Sequence, residues 1–292
     1  MRRRITVLAP AKINLGLKVF PRRADGYHDI QSIFTTVRLC DEITVERGGA
    51  EAGCVVECEG MELPCENTFT AAYKAFCVLT GIKEGVRVHV RKRIPAGGGL
   101  GGGSSDASSF FHSLDSLFDT HLAPEHFMSL AGLVGSDVFF FTRAILLNKS
   151  ADSYRPFAAL VQGRGERVTP LRPRDDFSVV LVMPGVSVST KEAYSFVDEH
   201  KSLSGKDEIE PAPLEDIYLD AVRNWSFKND FTTPVVSRFS EIGDALRDIR
   251  QSGADFADMT GSGSAVYGVF SGRSRAETAC EALSENWRSM VV

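Results

Sequence analysis

The sequence predicts an α+β fold in two halves, and three observations support this. Runs with strand periodicity and runs with helix periodicity alternate along the whole chain. Its texture changes near Pro170, beyond which Phe177 to Met183 form a near-continuous apolar strand suited to a sheet covered on both faces. The 292 residues suffice for two ordinary domains, expected at 1–170 and 171–292 with a cleft between them.

Each element follows from local pattern. Ile5 to Leu8 reads as a strand, Ala9-Pro10-Ala11 as a kink, and Lys12 onward as a second strand. There Ile13, Leu15, Leu17 and Val19 face one way, and Lys12, Asn14, Gly16 and Lys18 the other. Lys12 and Asn14 thus lie about 6.5 Å apart on one face. That suits a floor for an anionic ligand, and equally an ordinary solvated strand face. Arg23-Ala24-Asp25-Gly26-Tyr27-His28 is a turn whose aromatic and imidazole suit a nucleobase, or simply a basic surface loop. Strands follow at Ile30 to Val37, Ile43 to Glu46 and Cys54 to Glu59. Asn67 caps a helix that stops at Gly81, and Val86, Val88 and Val90 mark the next strand.

The longest glycine-rich stretch, Pro95 to Ala107, has six glycines in thirteen residues and ends in Ser104-Ser105-Asp106. These three are good N-cap residues for a helix in which Phe110, Phe111, Leu114, Leu117 and Phe118 recur at helical spacing. A glycine loop feeding a helix N-terminus presents unpaired N–H groups to an anion, most often a phosphate. No lysine follows the glycines, which removes a Walker loop. Gly97, Gly99 and Gly102 match a dinucleotide fingerprint formally, but Arg91 to Pro95 separates them from the strand.

Pro124 to Leu133 is a further helix. Asp137 then stands between Gly135-Ser136 and Val138-Phe139-Phe140-Phe141, a setting in which a carboxylate seeks a cation or a proton, or merely ends a turn. Thr142 to Gln162 has no clear period, and Gly163 to Glu166 is a turn. Beyond Met183, helices are expected at Thr190 to His200, Leu214 to Trp225, Glu241 to Gln251 and Arg275 to Asn286, with Lys201 to Pro213 an exposed, mobile loop. Thr260-Gly261-Ser262-Gly263 is a second small-residue loop, before the strand Ala265 to Phe270, and Trp287 to Val292 is the last strand.

Composition narrows the function classes. With 43% hydrophobic and 24% charged residues the chain is of the soluble globular type. A net charge of -5 gives no support for a nucleic-acid partner, and no apolar run reaches the ~18 residues of a membrane span. Met1 to Arg4 resembles the start of a secretory leader, but Pro10, Lys12 and Asn14 break the apolar core it needs, so a cytoplasmic location is expected. Cys40, Cys54, Cys58, Cys65, Cys77 and Cys280 form no Cys-x-x-Cys pair and read as reduced, partly buried thiols.

Taken in order, Pro10-Ala11-Lys12-Ile13-Asn14-Leu15, Arg23 to His28, Gly97 to Ala107, Gly135-Ser136-Asp137-Val138 and Thr260 to Gly263 resemble the GHMP small-molecule kinases over nearly the whole chain. The two N-terminal motifs narrow the resemblance to the branch that phosphorylates the 2-hydroxyl of 4-diphosphocytidyl-2-C-methyl-D-erythritol, in non-mevalonate isoprenoid synthesis. The resemblance implies a ribosomal-S5-like N-terminal domain, a ferredoxin-like C-terminal domain and an active site in the cleft between them. It implies ATP and Mg2+, a cytidine diphosphate sugar-alcohol substrate, and a monomer or weak homodimer. Lys12 and Asp137 match the catalytic pair. Pro95, Gly97, Gly98, Gly99, Leu100, Gly101, Gly102, Gly103, Ser104 and Ser105 match the ATP phosphate loop, and Asn67 the approach to its nucleoside. Asn14, Tyr27, His28, Phe34, Thr190, Tyr194, Gly261, Ser262 and Gly263 match substrate positions, with Ser104 or Ser105 available to magnesium. Two departures stand out: Phe139 replaces the family's proline after Asp137-Val138, and Thr142 to Gln162 is longer and bulkier. The alternatives are another GHMP kinase or a catalytically silent nucleotide-binding relative.

Overall fold

The computed structural model describes residues 4–48, 53–60, 62–148, 151–204 and 212–292. Two compact units emerge, and they are not consecutive in sequence. The first comprises Met1–Ala11, Arg38–Pro95 and Gly101–Pro156; the second comprises Lys12–Val37, Ala96–Leu100 and Phe157–Val292. Two long paired strands, β1 (Arg4–Arg22) and β2 (His28–Arg47), run through both. The kink expected at Ala9-Pro10-Ala11 is absent, and so is the break expected between Val37 and Ile43. Gly16, at φ +66°, is the residue of β1 that leaves ordinary strand geometry.

In the first unit, β3 (Cys54–Cys58) and β4 (Val86–Arg91) are parallel and joined by helix α1 (Thr68–Thr80), a βαβ crossover. The Arg47 end of β2 pairs antiparallel with β4, setting Ile43 opposite Val90 and Val45 opposite Val88. Asn67 caps α1 as expected, accepting from the N–H groups of Phe69 at 2.9 Å and Thr70 at 3.2 Å, and Gly81 ends it at φ 73°. Helices α2 (Gly102–Phe118), α3 (Pro124–Val134) and α4 (Val138–Asn148) complete the unit. The core joins Ile43, Val88, Phe69, Phe76, Phe110, Leu114, Phe127 and Val138. Each fully buried Phe or Leu contributes roughly 1.5–3 kcal/mol, so this cluster is what holds the helices on the strands.

The unreadable stretch after Asp137 resolves into α4 and, in the second unit, β5 (Ala158–Gly163). Its helix is buried on most sides, which removes the amphipathic signal. Phe139 lies over α3, where a Cβ on Gly132 would come within 3.2 Å of its ring.

In the second unit β5 pairs antiparallel with the His28 end of β2 and with β6 (Arg167–Leu171). A second sheet follows from β7 (Ser178–Met183), β8 (Phe256–Met259), β9 (Val266–Phe270) and β10 (Arg288–Val291), in the spatial order β10-β7-β9-β8 and antiparallel throughout. With α5 (Thr190–Ser204), α6 (Leu214–Leu219), α7 (Thr232–Val236) and α8 (Ser240–Gln251) between β7 and β8, and α9 (Arg273–Leu283) before β10, this is the ferredoxin-like arrangement. The loop expected from Lys201 to Pro213 begins as the last turn of α5, and 205–211 of it lie outside the described residues. No helix among the described residues is long and apolar enough to cross a membrane.

Candidate active site

The second unit brings Lys12, Asn14, the Gly97–Leu100 loop and the Thr260–Gly263 loop together. Lys12 and Asn14 are 3% and 0% exposed, which rules out the solvated-face reading of this strand. The Lys12 ammonium donates to Asn14 Oδ1 at 2.6 Å and sits 4.7 Å from the centre of the Phe34 ring. Asn14 Nδ2 donates to Ser32 Oγ at 3.1 Å, and Ser32 Oγ in turn donates to Gly16 O at 2.5 Å. Asn14 N donates to Thr260 Oγ1 at 3.1 Å, while the Tyr267 hydroxyl donates to Asn14 O at 2.8 Å. Burial raises the Tyr267 pKa well above its ordinary value, which keeps that donor in place.

The phosphate-type loop is fastened at both ends to these elements. Lys12 N donates to Leu100 O at 3.0 Å and Ser264 N donates to Gly97 O at 3.3 Å. Gly99 is at φ +72°, and a Cβ there would lie 2.2 Å from Thr260 O. Only glycine fits this close backbone crossing. The approach is reciprocal: a Cβ on Gly261 would lie 3.2 Å from Gly99 O and 3.3 Å from Gly99 Cα. Thr190 Oγ1 lies 3.2 Å from Ser262 Oγ, joining the N-terminus of α5 to the same loop.

Tyr27, His28 and Tyr194 form a separate group. His28 Nδ1 donates to Phe20 O at 2.8 Å, leaving Nε2 3.5 Å from Asp198 Oδ2. The His28 ring stacks on Tyr194 at 5.0 Å, and Tyr194 meets Phe231 edge-on at 4.9 Å. Tyr27 is 52% exposed, with the Arg164 guanidinium 3.7 Å above its ring.

The first unit holds Asn67, Pro95, Gly101 to Ser105 and Asp137. One expectation is corrected here: Ser104, Ser105 and Asp106 do not cap α2. The helix starts two residues earlier, after Gly101 at φ 71°, and no side chain caps it. The positive φ that glycine supplies lets the chain enter the helix directly, with no side chain capping the first-turn N–H groups. Ser105 Oγ is buried and has no hydrogen-bond partner among the described residues. Asp106 is paired instead with Lys92, at 2.7 Å, and Lys92 also pairs with Asp41. Burial pushes the Asp106 carboxyl up, against the pull of Lys92. Thr68, the residue after Asn67, comes near this turn: its Oγ1 would be 3.6 Å from a Cβ on Gly103. Asp137 is half-buried in the turn between α3 and α4, where Val138 N donates to Gly135 O at 3.2 Å.

This geometry agrees with what the chain resembles. The family model of the GHMP kinases N terminal domain matches residues 67–144, and that of the GHMP kinases C terminal domain matches 215–289. A 4-diphosphocytidyl-2-C-methyl-D-erythritol kinase of Treponema pallidum is 37% identical over 97% of this chain and 96% of its own length. The chain belongs to this family of GHMP kinases. The enzyme of the same name from Prosthecochloris aestuarii is 33% identical over 98% of the chain and 96% of its own length. A crystal structure of 4-(cytidine 5'-diphospho)-2C-methyl-D-erythritol kinase superposes with a TM-score of 0.79 at 32% identity, covering 98% of both chains. A homoserine kinase from Cytophaga hutchinsonii, 16% identical with a TM-score of 0.65 over 100% of this chain and 94% of its own, shares the fold.

Four participants escaped sequence reasoning. Ser32 and Tyr267 lie inside strands, where one polar residue carries no motif, and Arg164 is in a turn that reads as ordinary. The fourth, Asp258, is buried at the end of β8 and accepts from Thr232 Oγ1 at 2.6 Å, Met259 N at 2.8 Å and Asn229 N at 3.1 Å. Desolvation outweighs those donors and raises its pKa to about 6, from 3.8. Because the folded value lies above the unfolded one, its contribution to stability is complete below the unfolded value and is lost as pH rises through about 6. The shift corresponds to roughly 3 kcal/mol at ~1.4 kcal/mol per pH unit. Buried His112, lowered to about 3 by desolvation, acts in the opposite sense, so the wild type alone would mask the effect. The stability advantage of wild type over Asp258→Asn, from urea titrations, should therefore shrink between about pH 4 and pH 7. A difference independent of pH would contradict the assignment.

Proposed function

We propose that the chain is an ATP-dependent kinase that transfers a phosphoryl group to the 2-hydroxyl of 4-diphosphocytidyl-2-C-methyl-D-erythritol, giving the 2-phosphate and ADP, in non-mevalonate isoprenoid synthesis. The observation that carries this reading is the glycine loop crossing at Gly99, fastened to the strand of Lys12 and Asn14 and leading into an uncapped helix. Gly97, Gly99 and Gly101 all have positive φ, and the buried Ser105 hydroxyl lacks a partner, a donor set that suits phosphate oxygens. ATP is assigned to the domain at 1–170, with Pro95 and Gly97 to Ser105 at its phosphates and Asn67 toward its nucleoside. The domain at 171–292 contributes Thr190, Tyr194 and Gly261 to Gly263 to the substrate. Ser104 or Ser105 would hold magnesium together with the phosphates, and the ion would supply neutralisation of the transferring charge.

The side chains then have distinct tasks. Asp137 orients the attacking hydroxyl and accepts its proton late, as the new P–O bond forms and the bond to the ADP oxygen breaks. Lys12, buried and aimed by Asn14, stabilises the negative charge spread over the phosphoryl oxygens. Tyr27 and His28 are assigned to the cytosine end, where an exposed ring backed by Arg164 offers a stacking face. Phe34 and Asn14 line the substrate side of Lys12.

ADP release from Mg-ATP tests this directly. Turnover is expected with 4-diphosphocytidyl-2-C-methyl-D-erythritol and not with the methylerythritol phosphate that lacks the cytidyl group. Turnover of both would remove the assignment of Tyr27 and His28, and turnover of neither would remove the reaction.

A further inference from the structure

Asn229 belongs to no motif, yet it is the residue on which the Thr260–Gly263 loop hangs. It is 5% exposed, and nearly all its polar capacity is used. Nδ2 donates to Met259 O and to Gly261 O, both at 2.8 Å, and Oδ1 accepts from Phe231 N at 3.0 Å. Its backbone N–H donates to Asp258 Oδ2 at 3.1 Å. The two carbonyls it grips flank Thr260, whose hydroxyl reaches Asn14 N at 3.1 Å, Asn14 Oδ1 at 3.3 Å and Gly99 O at 3.4 Å.

The same segment is tied to β1. Leu17 N donates to Lys228 O and Asp230 N donates to Leu17 O, each at 2.8 Å, a parallel bridge three residues beyond Asn14. Asp230 Oδ2 extends it, accepting from Val19 N at 2.9 Å and from Lys201 Nζ at 2.7 Å. One short segment therefore fixes both the strand of Lys12 and Asn14 and the loop that crosses Gly99.

We infer that Asn229 is a positioning residue for phosphoryl transfer, setting the Thr260 hydroxyl against Asn14 and the phosphate loop through its two-carbonyl grip. This rests on the kinase reading above. The fit is chemically narrow. Aspartate in its place would aim a carboxylate oxygen at two carbonyl oxygens, and serine would be too short to reach both. A displacement of about 1 Å at a reacting centre costs about 10²-fold in rate.

The test compares kcat and KM for Mg-ATP and the cytidyl substrate in wild type, Asn229→Asp, Asn229→Ser and Asp230→Ala, well below each thermal midpoint. Asp230→Ala loosens the same segment without touching the loop carbonyls, so it reports what destabilisation alone does. Both Asn229 variants are expected to lose at least about tenfold in kcat at folded-protein concentrations. Asp230→Ala is expected to melt earlier with kcat within about twofold of wild type. The inference is overturned if folded Asn229 variants keep wild-type kcat, if Asp230→Ala loses as much, or if neither Asn229 variant folds while Asp230→Ala does. An inactive wild type would instead reject the kinase reading.

Discussion

Gly99→Ala should abolish most activity and destabilise the fold, whereas Gly98→Ala, one residue away, should do little. The added Cβ at Gly99 would lie 2.2 Å from Thr260 O and 3.2 Å from Gly263 O, both backbone atoms that cannot rotate aside. The φ of +72° adds a left-handed penalty of about 1–2 kcal/mol for any L side chain. Relief requires the two loops to separate, which pulls Thr260 from Asn14 and opens the phosphate cradle. At Gly98 the nearest atom to a new Cβ is Ala265 Cβ at 3.4 Å, an ordinary contact, and φ is not positive. Thermal melts and ATP titrations on the pair should show an earlier transition and a kcat/KM reduced at least about 10²-fold for Gly99→Ala only. Equal behaviour of the two variants would mean that the crossing is not what shapes the loop.

Asp137→Ala should lower turnover at least about 10²-fold, the size of a lost general base, while the protein remains folded and binds ATP. The structural cost is small because Asp137 is half-buried in the turn between α3 and α4, outside the apolar core, where substitutions usually change stability by about 1 kcal/mol or less. ADP release, read beside the thermal midpoint and ATP binding of the same preparation, separates the two effects. Near-normal turnover would dismiss Asp137 as the proton acceptor. Loss of activity together with loss of the folded state would make its role architectural.

The Phe139 substitution is accommodated locally. Where the resemblance implies a proline after Asp137-Val138, Phe139 packs over α3 at Gly132 as α4 begins. Helix geometry and a partly buried ring hold this point of the chain in place of a pyrrolidine's constraint.

Much of this protein was legible in its sequence because the features are local. Capping of α1 by Asn67 and its stop at Gly81 depend on residues a few positions apart. The same holds for the alternation of β4, which came out as read. The motif order sufficed to place the chain among the GHMP kinases. Where the reading failed, a long-range partner had intervened. The alternation at Lys12 and Asn14 left a ligand floor and a solvated strand face both open, and residues far along the chain, at Gly99, Thr260 and Tyr267, help to bury them. Ser104-Ser105-Asp106 has the chemistry of a cap, but Lys92 holds Asp106 inside the helix. Asn229 and Asp258 show no signal because a buried amide and carboxylate acquire meaning only from the backbone groups brought to them. Local propensity and motif spacing thus determined many of the elements, and the family. Which polar side chains lost their water, and which hydrogen bonds replaced it, was decided by tertiary packing, because desolvation depends on segments that no short window of sequence contains.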